Sequence, residues 1–385
     1  MVMGRRQTRL QKLLKKNCFN TAMAKPKVLF IHLGRSSFVK EDLRILNEIA
    51  DVKEFYFNPR KFSSSIVTGA SLIWNFIRQF FWLAKNFGNT YGIYCWFSDY
   101  HGVLPALFAK TFNKPMITIL GGFDCIKMPH LDYGIFCSRW RTPLGTYVVN
   151  NSTLLLPVND SLIHTKKIAK HWPDAHPNGL VANIPSFNTP YRDLPTGYDA
   201  DVWEAGKIKR EKIVSTVAAC STIQIAKRKG LDLFIQTSVL LPDYTFYIVG
   251  VSDELKAELI KHYTPGTNLK FLPRQKREDL NKVYTKSSVY LQLSRAEGLP
   301  NVLCEAMMCS CVPVGSSVFG IPHGIGDTGY VAERPDPEHI AELVTTAHQQ
   351  ADQLRKKARR RVIDHFSLER RKNTLTKLLS EFGLG

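Results

Sequence analysis

Short segments that are apolar on both faces constrain this chain more than any other feature. KVLFIHLG (27–34) is the first, and GIYCWFS (92–98), PMITILGG (115–122) and STLLLPV (152–158) follow. A strand with one wet face alternates apolar and polar residues. A strand without alternation is covered on both sides, the habit of parallel sheets. A stretch rich in Pro, Asn and Thr, NIPSFNTPYRDLPTGYDADVW (183–203), then interrupts the pattern. After it the series restarts with IVSTVAAC, YTFYIVG, LKFLP, SVYLQLS and CVPVGSS, and helical patterns such as GLDLFIQTSVLL and DELKAELIKHY lie between them. Strands alternating with helices imply right-handed βαβ units in doubly wound sheets, and two series imply two Rossmann-like domains. Ligands of such sheets sit at the carboxyl ends of the strands, so the site is expected in the cleft between the domains.

The length of 385 residues suits two domains, and 44% hydrophobic with 22% charged residues is a globular composition. A net charge of +19 asks for an anionic partner: a phosphorylated substrate, an anionic membrane surface or nucleic acid. Eight cysteines are scattered without a C-x-x-C pair, which reads as reduced thiols in a cytoplasmic protein. Cys304, Cys309 and Cys311 read as small apolar residues of a buried helix and the next strand, not as a metal cluster. No D-x-D in strand context argues for a divalent ion, so no metal and no cofactor is expected. Residues 1–24 form a basic extension without the apolar core of a secretory signal, and MAKPKVLFIHLG from Met23 looks like a natural domain start.

One stretch, SRAEGLPNVLCEAM (294–307), carries chemistry. It follows SVYLQLS, so it stands at the carboxyl end of a strand, and a helix is expected from Asn301. The first amides of that helix have no intrahelical partner and suit a phosphate. Gly298 lets backbone approach a ligand, and Pro300 can stand at the helix entrance because its missing N–H costs nothing there. Glu297 precedes the helix, and Glu305 shares a face with Asn301 one turn in. Carboxylates repel phosphate but accept hydrogen bonds from hydroxyls. A diphosphate flanked by hydroxyl-rich sugars, that is a nucleotide sugar, satisfies every part.

The E-x7-E spacing within SRAEGLPNVLCEAMMCSCVPVGSSVFGIP resembles the donor-site signature of the family-four retaining glycosyltransferases of GT-B fold. LPTGYDADVWEAG, RKGLDLFIQTSVLLPDYTFYIVG and DHFSLERRKNTLTKLL resemble, in turn, that family's interdomain segment, its basic loop with helix and second strand, and its closing helix. In the first half the resemblance rests on the strand pattern and on WFSDYHG and GGFDC. It implies an N-terminal acceptor domain at 25–205, a donor domain at 206–365 and a closing helix at 366–385 that crosses back. It further implies that Glu297 meets hydroxyls of the transferred sugar and Glu305 the ribose. The amides of Gly298, Leu299, Pro300's neighbour Asn301 and the loop between them would face the diphosphate, with Arg228 and Lys229 neutralising it. Pro273 and Arg274 would edge the base, and Gly34 would give the N-terminal loop close approach. The chain departs from the pattern twice: Ala219-Cys220-Ser221 stands where the family carries an Arg, and Gly121 where many members carry a His. Asp99, His101 and Asp124 are the acceptor-side candidates in its place.

The resemblance thus implies a metal-independent hexosyltransferase. It would move a sugar to a glycan or lipid-linked acceptor, as in cell-surface polysaccharide, lipopolysaccharide or glycolipid synthesis. A sugar-nucleotide epimerase of the same fold and a catalytically silent nucleotide-sugar-binding protein are the alternatives. A nucleic-acid-binding protein would use the basic runs RKKARRR and RQKR, but it leaves the glutamates unexplained and no RRM, KH or zinc-finger pattern occurs. Helical spacing of Ile73, Phe76, Ile77, Phe80, Leu83 and Phe87 has two readings. It is either a core stripe of the first domain or a helix lying on an anionic bilayer at the inner face of the cell membrane.

Overall fold

The computed structural model describes residues 25–59, 65–165, 172, 177–206 and 211–382; the basic extension at 1–24 lies outside them. The first domain alternates β1 (Lys27–His32), α1 (Ser37–Ile49), β2 (Asp51–Tyr56), α2 (Ser65–Asn86), β3 (Gly92–Trp96), α3 (Val103–Thr111), β4 (Met116–Leu120), α4 (Arg141–Asn151) and β5 (Leu154–Pro157), with a short α5 (Leu180–Asn183) before the connector. All its strands are parallel, in the order β2-β1-β3-β4-β5. The apolar runs become central strands because helices cover both faces: β3, β4 and β5 are buried at every residue.

The second domain runs through β6 (Glu211–Cys220), α6 (Ile223–Arg228), α7 (Leu231–Leu240), β7 (Thr245–Val251), α8 (Asp253–Tyr263), β8 (Leu269–Leu272), α9 (Arg277–Lys286), β9 (Ser287–Gln292), α10 (Asn301–Met308), β10 (Val312–Ser316), α11 (Ile321–Ile325) and β11 (Tyr330–Ala332). Three helices end it: α12 (Pro337–Gln349), α13 (Ala351–Phe366) and α14 (Leu368–Glu381). Its sheet is parallel too, in the order β11-β10-β9-β6-β7-β8. The chain leaves β6 on one side for β7 and β8, then crosses to β9 on the other. The gap between the carboxyl ends of β6 and β9 is therefore the switch point where a doubly wound sheet opens a crevice. In the first sheet the corresponding gap lies between β1 and β3.

Two devices bind the domains together. Arg371 on α14 is buried and donates to Asp42 on α1 through Nε (2.5 Å) and Nη2 (2.7 Å). Tyr94 and Trp96 of β3 donate to the same carboxylate, and Arg371 also reaches the carbonyls of Leu194 and Pro195. A buried charge pair is tolerated when every lone pair is used in this way. Tyr198 in the connector is the second device. Its backbone pairs with Phe366 and Leu368, and its hydroxyl donates to Asn301 of α10 at 2.7 Å.

Helix α2 is unusual in what it buries. Asn75 and Gln79 face inward with Leu83 and Phe87, whereas Ile73, Trp74, Ile77, Phe80 and Phe81 are 43–66% exposed. Asn75 exchanges hydrogen bonds with Asn58, and Gln79 Nε2 donates to the carbonyl of His101. The core-stripe expectation thus holds only at Leu83 and Phe87, with Phe76 half-buried, because polar side chains at 75 and 79 claim the inner face.

Candidate active site

The SRAEG loop leaves β9 and is held by Arg295. This guanidinium donates to both oxygens of Asp232 (3.0 and 2.7 Å) and to the Lys227 carbonyl, while its own N–H meets Arg228 O at 2.8 Å. The loop is thereby stapled to the turn between α6 and α7. Gly230 makes that turn at φ +73°, and a Cβ there would stand 2.0 Å from Leu293 O, so only glycine fits. The turn sets Arg228 at the end of α6, Lys229 just beyond it, and both beside Glu297. Lys229 Nζ lies 2.5 Å and Arg228 Nη1 3.8 Å from Glu297 Oε1. Burial alone would raise the Glu297 pKa, but the two cations reverse this and hold it below the ordinary value. Residues 68 apart in sequence thus form one charge cluster at the β6/β9 switch point.

Helix α10 begins at Asn301 behind Pro300, with no side chain capping its first turn. Among the described residues the amides of Gly298, Leu299 and Asn301 have no hydrogen-bond partner, so they remain available as donors. Glu305 sits one turn in. Burial pushes its pKa up to about 7 against the pull of Arg277, and Tyr284 Oη donates to it at 3.5 Å. The two glutamates therefore differ: Glu297 is paired and its pKa held down by the cations, whereas burial lifts that of Glu305 to about 7.

Gly298 also serves a contact between the domains. A Cβ at 298 would lie 2.7 Å from Gly121 O and 2.8 Å from Val158 Cγ2, both in the first domain. One at Gly320 would strike Gly298 O at 1.7 Å. Glycine is needed at 298 because backbone of the other domain crosses there. Leu299 and Pro300 are buried in the same contact, and Asn301 gives its Oδ1 to Tyr198. The expected base-edging residues, Pro273 and Arg274, are exposed after β8, and the loop at Gly34 faces open space.

The acceptor-side candidates are the least exposed of all, none by more than 2%. Asp124 accepts from the amides of Ser98, Gly121 and Gly122 at 2.9–3.1 Å, and burial lifts its pKa to about 6. Asp99 caps Tyr100 N at 2.7 Å and pairs with Arg141. His101 Nε2 meets Trp96 O at 2.8 Å, and burial lowers its pKa to about 4, so it is neutral. In this structure these side chains support the loops after β3 and β4 from beneath, the place where acceptor-side residues are expected. Gly121 leaves no room for a side chain: a Cβ there would lie 2.3 Å from the ring of Phe97, itself at φ +72°.

Sequence reasoning missed the residues that join the two halves. Tyr133 of the first domain lies under Arg228, whose guanidinium carbon is 4.2 Å from the ring centroid. Asn159 meets His323 Nδ1 across the domains at 2.6 Å. The basic run RKKARRR also proved partly internal: Arg359 donates to the carbonyls of Trp203, Met308 and Ala200, and Arg361 to those of His323 and Gly324. These two arginines close helix and loop ends within the protein. No cluster of three metal-ligating side chains occurs among the described residues.

Comparison with known proteins bears on the fold and on the second half of the chain. Residues 204–364 match the profile of the family described as Glycosyl transferases group 1. N-acetyl-alpha-D-glucosaminyl L-malate synthase of Bacillus anthracis is 34% identical over 87 residues, a match that spans 22% of this chain and 22% of the relative. Among solved structures, Anabaena Alr3699/HepE in complex with UDP and glucose superposes with a TM-score of 0.68 at 14% identity, covering 92% of this chain and 99% of that one. Sucrose-phosphate synthase from Thermosynechococcus elongatus gives 0.67 at 13% identity, covering 93% and 99%. At such identities the likeness establishes the fold. The chain has the GT-B architecture, and the stretch similar to the group 1 glycosyl transferases lies in its second domain.

Proposed function

We propose that the protein is a retaining glycosyltransferase that takes a sugar from a nucleotide diphosphate sugar, bound between the SRAEG loop and the α6–α7 turn. The observation that carries the reading is the cluster of Glu297, Lys229 and Arg228 beside the uncapped start of α10. In the empty site Glu297 is the counter-ion of both cations. An arriving diphosphate replaces it, taking Arg228, Lys229 and the free amides, and frees Glu297 for the sugar hydroxyls. Glu305 accepts from the ribose. Positive charge fixed where negative charge develops stabilises the departing diphosphate, and the leaving oxygen can take the acceptor proton on the same face of the sugar. The HepE structure with UDP and glucose supports a uridine-type donor as the first to try. The test is turnover of UDP-sugars with a panel of glycan and lipid-linked acceptors, the anomer read by NMR. Retention is expected; inversion of configuration, or interconversion of the donor without transfer, contradicts the reading.

The exposed face of α2 supports a membrane-carried acceptor. Trp74 and Phe81 are 60% and 66% exposed, with exposed Arg78 and Lys85 beside them, on a chain of net charge +19. Such a helix lies on an anionic bilayer with its rings at headgroup depth. None of the described helices is long and apolar enough to cross a membrane, so binding is at the surface. Flotation with vesicles containing anionic lipid should carry the protein and decline as salt rises. Trp74→Ser with Phe81→Ser should remove the salt-resistant part without unfolding the chain. Protein that ignores anionic vesicles at low salt contradicts this second reading.

A further inference from the structure

We infer that Trp140, Tyr100 and Arg141 form an acceptor subsite, a ledge on which a sugar ring of the acceptor stacks while the donor occupies the β6/β9 crevice. The inference rests on the glycosyl-transfer reading above and adds the place of the second substrate.

The ledge is built. Trp140 is 52% exposed, at the start of α4, and its ring lies 5.6 Å from Tyr100 at an angle of 30°. Arg141 fixes both. Its guanidinium lies 4.6 Å from Phe123, 5.5 Å from Tyr100 and 5.9 Å from Trp140, and it is tied through two nitrogens to buried Asp99. Its third nitrogen, Nη1, has no hydrogen-bond partner among the described residues, and the side chain is 25% exposed. A pyranose has an apolar C–H face and a rim of hydroxyls. A tilted pair of rings beside an orientated N–H donor matches that pattern, and an aromatic surface with few placed polar groups is how such ligands are held.

Continuity places the ledge on the path to the donor. Phe123 lies 5.4 Å from Tyr133, and Tyr133 carries Arg228, which belongs to the Glu297 cluster. In the other direction Tyr100 lies 6.4 Å from Phe76 of α2, whose neighbours Ile73 and Ile77 are exposed. One aromatic track thus runs from the exposed helix face to the donor charges, with Trp140 as its open step. Buried Asp99 and Asp124 acquire a use here: Asp99 orients Arg141, and Asp124 shapes the loop that carries Phe123.

The test uses the full chain labelled with 5-fluorotryptophan, followed by fluorine NMR. Octyl glycosides of glucose, galactose and mannose are titrated below their micellar concentrations, with octanol as the chain lacking a sugar. The Trp140 signal is identified by its absence in Trp140→Phe. The expected result is a saturable shift of that signal with at least one glycoside, at a concentration at least fivefold lower than octanol requires. Tyr100→Leu should raise the half-saturation at least threefold. A Trp140 signal that stays fixed with every glycoside, or that answers octanol equally, overturns the subsite. UDP-sugar binding on the same samples separates the two readings: donor binding without glycoside binding overturns the subsite alone, and absence of both overturns the glycosyl-transfer reading with it.

Discussion

The carboxyl ends of the two sheets hold acids in opposite ways. At the second sheet Glu297 and Glu305 stand in a crevice among cations and free amides, one ionised and paired, the other lifted to about 7 by burial. At the first sheet Asp99 and Asp124 are sunk beneath the surface and spend their oxygens on backbone amides and Arg141. What that end shows to solvent is aromatic. The difference teaches that one end is made to exchange its partners for a ligand's, and the other to keep them. Acids of the first kind should be felt in binding, and acids of the second kind in stability.

The largest effect expected is at the cations. Arg228→Glu with Lys229→Glu would place two more negative charges beside Glu297 and reverse the field on the leaving diphosphate. Transfer should fall by about 10²–10³-fold or more, since one lost donor of this kind costs about that much. Both side chains are mostly buried and neutralise Glu297, so the melting temperature should fall as well; nucleoside diphosphate bound as tightly as by the wild type would break the comparison.

The opposite signature belongs to Asp124→Ala. It strands three buried amides, and unmade hydrogen bonds of buried groups cost about 1–3 kcal/mol each, partly recovered by water. A loss of about 2–4 kcal/mol in urea unfolding is expected, with UDP-sugar affinity within a few-fold of wild type. Unchanged stability with abolished transfer would instead make Asp124 part of the reacting machinery.

These contrasts were unequally legible in the sequence. The second-sheet site was read because its parts are local: one loop sets Glu297, Pro300 and Glu305, and strand-helix alternation sets that loop at a strand end. Arg228 and Lys229, the latter 68 residues from Glu297, were expected only through the family resemblance of their basic loop. Arg295 was passed over because its partners, Asp232 and the Lys227 carbonyl, are more than 60 residues away. The contact that Gly298 makes between the domains was not legible, because nothing in the sequence says that Gly121 of the other domain crosses it. At the first sheet the polar residues drew the eye, yet burial decides their use, and burial is a property of the packed chain. Helix α2 shows the same limit: its apolar spacing fits a core stripe, but Asn75 and Gln79 take the inner face. The connector and the alternation of strands and helices needed only period and length, which sequence carries directly, whereas the order of the strands came from the structure.

A smaller effect sharpens the contrast between the two glutamates. Burial holds the Glu305 carboxyl near 7, and ribose hydroxyls bind its ionised form. Donor binding should therefore release a proton below that pH. UDP-sugar affinity should rise up to about tenfold per pH unit on approaching 7 from below and level off above it, since each unit is worth about 1.4 kcal/mol. A UDP-sugar has no phosphate group titrating in this range, so the slope reports the protein. Glu305→Gln should bind more weakly and flatten the slope; a slope that survives the substitution assigns the titration elsewhere.

The most direct measurement is calorimetry of UDP and of the UDP-sugar on the wild type, Glu297→Ala and Glu305→Ala. Glu305→Ala should weaken both ligands by about 10–100-fold, the worth of a charged hydrogen bond at about 1.5–3 kcal/mol. Glu297→Ala should bind free UDP as well as the wild type or better, because Lys229 and Arg228 lose their competing counter-ion. It should bind the UDP-sugar worse relative to UDP, because the sugar loses its acceptor. Equal weakening of both ligands by both substitutions, or weakening by neither, would contradict a site in which one glutamate serves the nucleotide and the other the sugar.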